Sequence, residues 1–230
     1  RSPELLGLLQ RELDELPEGR ERRITRSANG TQYSLRIRPI EAGQDYTAVY
    51  VSARRTASGR SQTGIRCFSR QEAERMAYGS IFSFQNMYGL SEEETAQLAG
   101  SMVPVLITGE EGIRMSRAAA RLYMESPLQD APLVFINCCL LNDRSWEFLL
   151  ESHNSPLSES GSTLYFSRVG ALSPSRRLQL MDTLAESGVR RRSRLLFSCT
   201  CRPGEQMAPE AAGFLNRLNC RVLYLQPLRN

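Results

Sequence analysis

The feature that most constrains the fold of this chain is a series of short apolar segments in its second half, separated by segments of helical character. The apolar segments cover residues 103–108, 133–137, 163–167, 194–200 and 222–225. Strands that are apolar throughout are buried on both faces, which is typical of a parallel sheet covered by helices. The alternation therefore predicts an α/β domain in which helices lie on both faces of a parallel sheet.

Residues that favour helix ends mark the helices of this domain. Ser69 and Glu72 have the spacing of a capping box, in which each side chain bonds the backbone of the other residue, and Ser91 and Glu94 repeat that spacing. Later helices are predicted over residues 115–124, 143–151, 174–187 and 210–218. Each of these later helices connects one apolar segment to the next, as the crossovers of a parallel sheet require.

The N-terminal part of the chain has a different pattern. Residues 1–16 carry leucines at helical spacing and predict a helix. Asn29-Gly30 favours a two-residue hairpin turn, because both positions tolerate a positive φ. Strands are predicted on either side of this turn and after the next glycine, over residues 22–27, 33–39 and 46–53. We therefore expect a helix followed by three antiparallel strands.

This order of elements resembles the C-terminal half of a PAS sensor domain. The resemblance divides the chain into a PAS-like segment, a linker of small and polar residues, and the α/β domain, at residues 1–54, 55–68 and 69–230. Half a domain buries its apolar face only against another surface, so we expect self-association as a dimer through this part. Tyr33, Tyr46 and Tyr50 either line a ligand pocket of such a sensor or pack on a strand face.

All 29 basic residues of the chain are arginines, so any mechanism that requires a lysine ammonium is excluded. The net charge of +4 does not by itself indicate nucleic-acid binding, and DNA contact is expected only through domains outside this chain. The cluster of Arg190, Arg191, Arg192 and Arg194 is interpreted as a solvated loop, with an anionic partner as the alternative. No apolar run approaches the ~20 residues that span a bilayer, so no membrane contact is expected.

The six cysteines form no C-x-x-C pair, and His153 is the only histidine. A structural zinc site needs four ligands of these types, so no metal site is expected. Cysteines within apolar stretches behave as small hydrophobic residues. Free thiols suit a reducing environment, and the predicted location is the cytoplasm.

Five segments resemble, in chain order, motifs of the sigma-54-dependent transcriptional activators, the bacterial enhancer-binding branch of the AAA+ ATPases. They cover residues 103–112, 131–138, 161–166, 214–219 and 225–229. In that family they correspond to the phosphate loop, the second strand, the Walker B strand, the second arginine finger and the closing segment. The resemblance implies a P-loop NTPase-like fold and a role in transcription regulation. The matched segments do not extend to the lid subdomain or the DNA-binding domain of that family, so neither is expected within this chain.

The resemblance also implies a degenerate phosphate loop after the first apolar strand. Its positions, together with one arginine-finger position, are Gly109, Glu110, Glu111, Gly112, Ile113, Arg114, Met115, Ser116 and Arg217. Arg114 stands where the family has its third glycine, and Met115 stands where it has the lysine that binds phosphate. No cofactor is therefore expected, and ATP or ADP is expected only as a weak ligand that is not hydrolysed.

Other positions that the family uses in catalysis are changed as well. Ser167 and Arg168 replace the acidic pair that organises Mg²⁺ and polarises the attacking water. Cys201 occupies the position of the sensor asparagine, and Ala211 occupies that of the other arginine finger. The resemblance thus implies a pseudo-ATPase with no catalytic residue.

The family contacts sigma-54 through a loop inserted before its Walker B strand. Here only residues 154–160 separate His153 from Gly161, so contact with sigma-54 is not expected. The remaining role is that of a transcription regulator fragment whose degenerate domain acts as a sensing or assembly scaffold.

Two alternatives to this role stay open. One is a domain that binds a nucleotide or another anion without turnover, at the helix N-terminus that follows Gly112. The other is an enzyme of different chemistry, for which His153 beside Ser152 and Ser155 is the candidate.

Overall fold

The computed structural model describes residues 22–28, 31–41, 47–55, 63–79, 92–152 and 155–227. The predicted helix over residues 1–16, the Asn29-Gly30 turn and His153 lie outside the described residues. Within the described ranges the chain forms one sheet of three strands and one sheet of six strands.

The three-stranded sheet is antiparallel, and its strands follow one another in chain order. They are β1 (Arg22–Ala28), β2 (Thr31–Glu41) and β3 (Thr47–Arg55). Ala28 pairs with Thr31, which leaves two residues for the turn between them, as a two-residue hairpin requires. The predicted meander is confirmed. Its assignment to a PAS-like domain stays a prediction, because this motif occurs in many folds.

The six-stranded sheet follows the predicted alternation of strand and helix. Its strands are β4 (Ile65–Phe68), β5 (Val105–Glu110), β6 (Leu133–Asn137), β7 (Thr163–Ser167), β8 (Arg194–Cys201) and β9 (Arg221–Leu225). Their order in the sheet is β4-β6-β7-β8-β5-β9. The strands from β5 to β9 run parallel to their neighbours among themselves, and β4 pairs antiparallel with β6. The predicted α/β fold with a mainly parallel sheet is confirmed.

The edge strand β4 lies within the segment assigned to the linker from the sequence. Ile65 pairs with Ile136 and is buried. Just before it, the carbonyl of Gly64 accepts a hydrogen bond from the N–H of Asn137 at 2.7 Å. A strand of four residues is too short to carry a clear periodic signal. Only its pairing with β6 identifies it, and the folded unit therefore begins before Ile65.

The helices of the described residues are α1 (Arg70–Tyr78), α2 (Glu92–Gly100), α3 (Met115–Met124), α4 (Asp143–Glu151), α5 (Pro174–Glu186), α6 (Val189–Arg192) and α7 (Ala212–Leu218). The predicted capping box begins α1. The N–H of Glu72 donates to Ser69 Oγ at 3.2 Å, and the N–H of Ser69 donates to the Glu72 carboxylate at 2.8 Å. None of the helices in the described ranges is both long and apolar enough to cross a membrane.

Helices cover both faces of the six-stranded sheet. Alternate residues of a strand point to opposite faces, so neighbouring residues of one strand show what packs on each face. Phe166 and Phe197 belong to a buried cluster with residues of α4, α5 and α7. Tyr165 and Leu196, their neighbours in the chain, belong to a second cluster with residues of α1, α2 and α3. The predicted arrangement of helices on both faces is confirmed.

Arg194 corrects the interpretation of the arginine cluster as a solvated loop. Its side chain is fully buried at the start of β8. The guanidinium donates to the carbonyl of Leu122 at 2.8 Å and to that of Leu98 at 2.7 Å, near the C-terminal ends of α3 and α2. Burial lowers the pKa of Arg194 to about 10, so it stays protonated at neutral pH. Carbonyl groups at helix ends need donors from outside the helix, and Arg194 supplies them.

Candidate functional site

A cavity of about 540 Å³ lies at the carboxyl ends of β6, β7 and β8, beside the loop that follows β5. It is lined by Glu111, Gly112, Ile113, Arg114, Met115, Ser116, Phe135, Asn137, Tyr165, Ser167, Arg168, Ser198 and Thr200. From β5 the chain crosses to β6, returns through β7 and β8, and then reaches β9 on the other side of β5. Ligands of open α/β sheets bind outside the carboxyl ends of the strands, where the strand order reverses. The cavity has that location.

The loop between β5 and α3 forms one wall of the cavity. Gly112 has a φ of 91°, a conformation that favours glycine, and a Cβ added there would meet nothing within 4 Å. Arg114 is the N-cap residue of α3, and its side chain makes no capping hydrogen bond. A guanidinium has no acceptor atom, so Arg114 cannot cap the helix through its side chain.

The first turn of α3 therefore satisfies its N–H groups only in part. The N–H of Met115 donates to the carbonyl of Ile113 at 2.8 Å, and the N–H of Arg117 donates to that of Arg114 at 2.9 Å. Ser116 lies between them and lines the cavity. Its N–H is left for solvent or for an anion in the cavity, as is usual at an uncapped helix N-terminus.

The predicted phosphate-loop positions divide into two groups. Those from Glu111 to Ser116 line the cavity, whereas Gly109 and Glu110 do not. Gly109 lies against the side chain of Leu225, 3.4 Å from where its own Cβ would be. Glu110 is buried, and its carboxylate accepts a hydrogen bond from the N–H of Gly204 at 3.1 Å.

Arg217, the predicted arginine-finger position, lies outside the cavity lining. It belongs to α7 and forms an ion pair with Asp182 on α5. Ala211, at the other finger position, is fully buried. Within this chain, neither position contributes a charge to the cavity.

The end of β7 contributes Ser167 and Arg168 to the lining. Arg168 has a left-handed conformation, with φ 58° and ψ 52°. Its N–H donates to Ser198 Oγ at 3.1 Å, and the hydroxyl of Tyr165 donates to the same oxygen at 2.9 Å. The backbone of Arg168 is therefore held by β8, while its side chain is exposed on the cavity side.

The charged side chains of the lining are Glu111, Arg114 and Arg168, so the lining carries a formal net charge of +1. Five hydroxyl-bearing residues and one amide complete the polar part of the lining, namely Ser116, Tyr165, Ser167, Ser198, Thr200 and Asn137. In the described part of the chain, no group of three or more His, Cys, Asp or Glu residues is placed to hold a metal ion. Donors and positive charge in one cavity suit an oxyanion.

Two aromatic rings give the cavity an apolar side. Phe135 and Tyr165 meet edge to face, with ring centroids 5.0 Å apart. Burial raises the pKa of Tyr165 to about 12, so its hydroxyl keeps its proton and donates to Ser198 at neutral pH. The cavity thus offers a polar side for an anion and an apolar side for an organic group.

Cys201, predicted at the sensor position, does not line the cavity. It is buried and lies opposite Glu110 in the pairing of β8 with β5. Ser198 and Thr200, which do line the cavity, were missed. Their alternation with Cys199 and Cys201 is a period-two signal that marks one polar side of β8.

Comparison with known proteins gives a family similarity over part of the α/β unit. Residues 83–154 match the family model of the sigma-54 interaction domain. That match is under a third of the chain, and it includes the loop after β5 but ends before β7.

Curated relatives are transcription regulators. The transcriptional regulatory protein ZraR of Salmonella typhimurium is 26% identical over 168 residues, which is 67% of this chain and 36% of that protein. ZraR of Escherichia coli K12 is 28% identical over 111 residues, or 43% of this chain and 25% of that protein. The chain therefore spans well under half of the length of these relatives.

Solved structures show a partial likeness. NtrX from Brucella abortus in complex with ADP aligns with a TM-score of 0.46 at 17% identity, over 65% of this chain and 39% of that chain. The P-loop NTPase domain of a sigma-54 transport activator from E. coli aligns with a TM-score of 0.42 at 17% identity, over 60% and 92% of the two chains. At this level of similarity, function has to be inferred from the residues of the cavity itself.

Proposed function

We propose that this chain is part of a transcription regulator similar to the sigma-54-dependent activators, and that its ATPase-like domain acts as a sensing or assembly scaffold without hydrolysing ATP. One observation carries the proposal. The end of β7, beside the cavity, bears Ser167 and Arg168 rather than carboxylates.

The chemistry of phosphoryl transfer explains why these residues matter. ATPases of the P-loop class hold Mg²⁺ between the phosphates and a protein carboxylate, and they orient the attacking water with a further polar group. Glu111 is the one carboxylate in the lining, and it lies on the exposed loop rather than at a strand end. Met115 adds no charge. The lining therefore supplies neither the metal site nor the water-activating group of that mechanism.

The connection before β7 supports the absence of a sigma-54-binding insertion. Ser155 is buried, and its N–H donates to the carbonyl of Ser152, just past the end of α4, at 2.9 Å. Leu157 then packs in the core. In this proposal the chain makes no contact with sigma-54, binds DNA only through domains outside it, and works in the cytoplasm, where free thiols persist.

An assay of phosphate release from ATP tests whether the chain hydrolyses ATP. With ATP and Mg²⁺ in excess, we expect the purified chain to release phosphate at the rate of the protein-free control. Magnesium-dependent release that disappears in Gly112→Val would refute the proposal, because valine is strained at φ 91° and would change the conformation of the loop.

A second function is favoured by a specific observation. Among the described residues, the guanidiniums of Arg114 and Arg168 have no carboxylate partner, although both line the cavity. This arrangement supports a switch domain that binds an anion without turnover.

A further inference from the structure

We propose that the cavity binds a phosphate-bearing ligand without a divalent cation, and that the guanidinium of Arg168 supplies the positive charge that a metal ion supplies in ATPases. This inference rests on the proposed function, because a domain that hydrolyses ATP needs the metal. It adds the chemical class of the ligand and the residue that anchors it.

The two cavity arginines have no carboxylate partner among the described residues. Five other arginines there form ion pairs: Arg66 with Glu72, Arg70 with Asp130, Arg121 with Glu125, Arg176 with Asp143, and Arg217 with Asp182. Others, such as Arg194, donate to backbone carbonyls instead. In the described ranges no such pair is formed by Arg114 or Arg168, and both residues line the same cavity. Guanidiniums bind phosphate oxygens through charged hydrogen bonds. Two such groups around one cavity make an anion the matching ligand.

The backbone of Arg168 is fixed before any ligand arrives. Its N–H donates to Ser198, its carbonyl accepts a hydrogen bond from the N–H of Ala171 at 3.0 Å, and Val169 next to it is fully buried. A group held in its binding position loses less conformational entropy when the ligand binds. Arg168 therefore presents its charge from a rigid turn.

Residues with neutral donor groups line the same cavity. The first turn of α3 has no side-chain cap, and the N–H of Ser116 lies at the positive end of the helix dipole. Hydroxyl groups of Ser116, Ser167 and Thr200 line the cavity beside it. Together with the guanidiniums, these donors can satisfy several oxygens of one phosphate group.

The cavity lining is poorly suited to a divalent cation. Magnesium ions are held by carboxylates and phosphates, and Glu111 is the one carboxylate of the lining. Arg168, at the wall where an acidic pair would bind the ion, repels a cation. When Mg²⁺ is bound to the phosphates of a ligand, it neutralises part of their negative charge and so weakens their attraction to the guanidiniums. The free anion is therefore the preferred form of the ligand.

The size of the cavity indicates a ligand larger than phosphate alone. About 540 Å³ exceeds the volume of a phosphate group and falls within the roughly 300–1,000 Å³ of typical small-molecule sites. Phe135 and Tyr165, together with Ile113 and Met115, form the apolar part of the lining. The ligand class is therefore a phosphate ester with a small organic body, and ADP is a suitable probe.

The test is isothermal titration of the full chain with ADP, once with excess EDTA and once with excess Mg²⁺. We expect binding in EDTA that is as tight as in Mg²⁺ or tighter. Arg168→Gln should weaken binding in EDTA by about 10- to 100-fold, the cost of a hydrogen bond between charged groups. Arg191→Gln removes the same charge from an exposed position outside the lining, and it should bind as the unchanged chain does.

Binding that requires Mg²⁺ would overturn the inference, and so would an Arg168→Gln affinity equal to that of Arg191→Gln. Absence of ADP binding at millimolar concentration would also overturn it, and would leave the proposed non-hydrolysing scaffold intact. Release of phosphate from ATP would instead overturn the proposed function. Circular dichroism of both variants checks that they are folded. Arg168→Glu, which reverses the charge on the same backbone, gives a second variant and should abolish binding in EDTA.

Discussion

At the scale of single residues, arginine takes three roles among the described residues, and its surroundings decide which. Arg176 stacks over the ring of Trp146 and pairs with Asp143 at the surface. Arg194 is buried and bonds helix carbonyls. Arg168 lines the cavity and has no carboxylate partner within the described ranges. Because lysine is absent, arginine supplies every fixed positive side-chain charge of the chain.

The role of Arg194 leads to a prediction on stability. In Arg194→Met the carbonyl of Leu122 loses its guanidinium donor, and that of Leu98 keeps only the 3.4 Å bond from the N–H of Ser101. We therefore expect the free energy of unfolding to fall by about 2–4 kcal/mol. Urea unfolding followed by circular dichroism measures it. Arg191→Met, at an exposed site, should change stability by less than ~0.5 kcal/mol.

Unchanged stability of Arg194→Met would contradict the role assigned to Arg194. Replacing a buried charge by an apolar side chain can be neutral or stabilising when no partner is left unpaired. Stability equal to that of the unchanged chain would mean that water or a backbone shift satisfies the two carbonyls. The role of Arg194 as a link between α2 and α3 would then be wrong.

At the scale of elements, the short edge strand β4 depends on the turn that precedes it. Gly64 has a φ of 88°, and a Cβ there would lie 2.9 Å from the carbonyl oxygen of Asn137 and 3.1 Å from the carbonyl carbon of Leu140. The turn brings Gly64 against the end of β6, whose last residue, Asn137, lines the cavity. The position therefore requires glycine for both conformation and space.

Gly64→Ala is expected to lower the free energy of unfolding by about 2–4 kcal/mol, since it adds a backbone clash to the cost of a left-handed alanine. Gly188→Ala is the matched control. Its φ is 69°, but nothing lies within 4 Å of the added Cβ, so only the conformational cost of about 1–2 kcal/mol applies. Equal losses in the two variants, measured by urea unfolding, would show that the close approach to Asn137 relaxes at no cost.

At the scale of the whole molecule, the three-stranded sheet is the part expected to associate with a second copy of the chain. A small antiparallel sheet is marginally stable unless it packs against another surface. We therefore expect the chain to sediment at equilibrium with twice the mass of one chain, and a shortened chain that begins at residue 56 to sediment as a monomer. A single-chain mass for the full chain over micromolar concentrations would rule out self-association through the N-terminal part.

Much of the architecture could be predicted because its signals are local. The apolar runs and their spacing indicated strands β5 to β9, and a dipeptide indicated the first hairpin. The loop from Glu111 to Ser116 was identified as a candidate site by its resemblance to a phosphate loop, and it does line the cavity. Gly109, Glu110 and Arg217, identified by the same resemblance, do not, because motif position alone does not specify which residues reach the cavity.

The sequence by itself determined the alternation of strand and helix, the lack of lysine, and the presence of serine and arginine rather than carboxylates at residues 167 and 168. Each of these is a local property of the sequence. Tertiary structure alone decided what surrounds the cavity. Arg168 and Ser198 are 30 residues apart in the chain, yet the N–H of one bonds the hydroxyl of the other. Parallel strands gather their carboxyl ends at one edge of the sheet, whatever the length of chain between them. The burial of Arg194 has the same origin, because its acceptors lie 72 and 96 residues away in the chain.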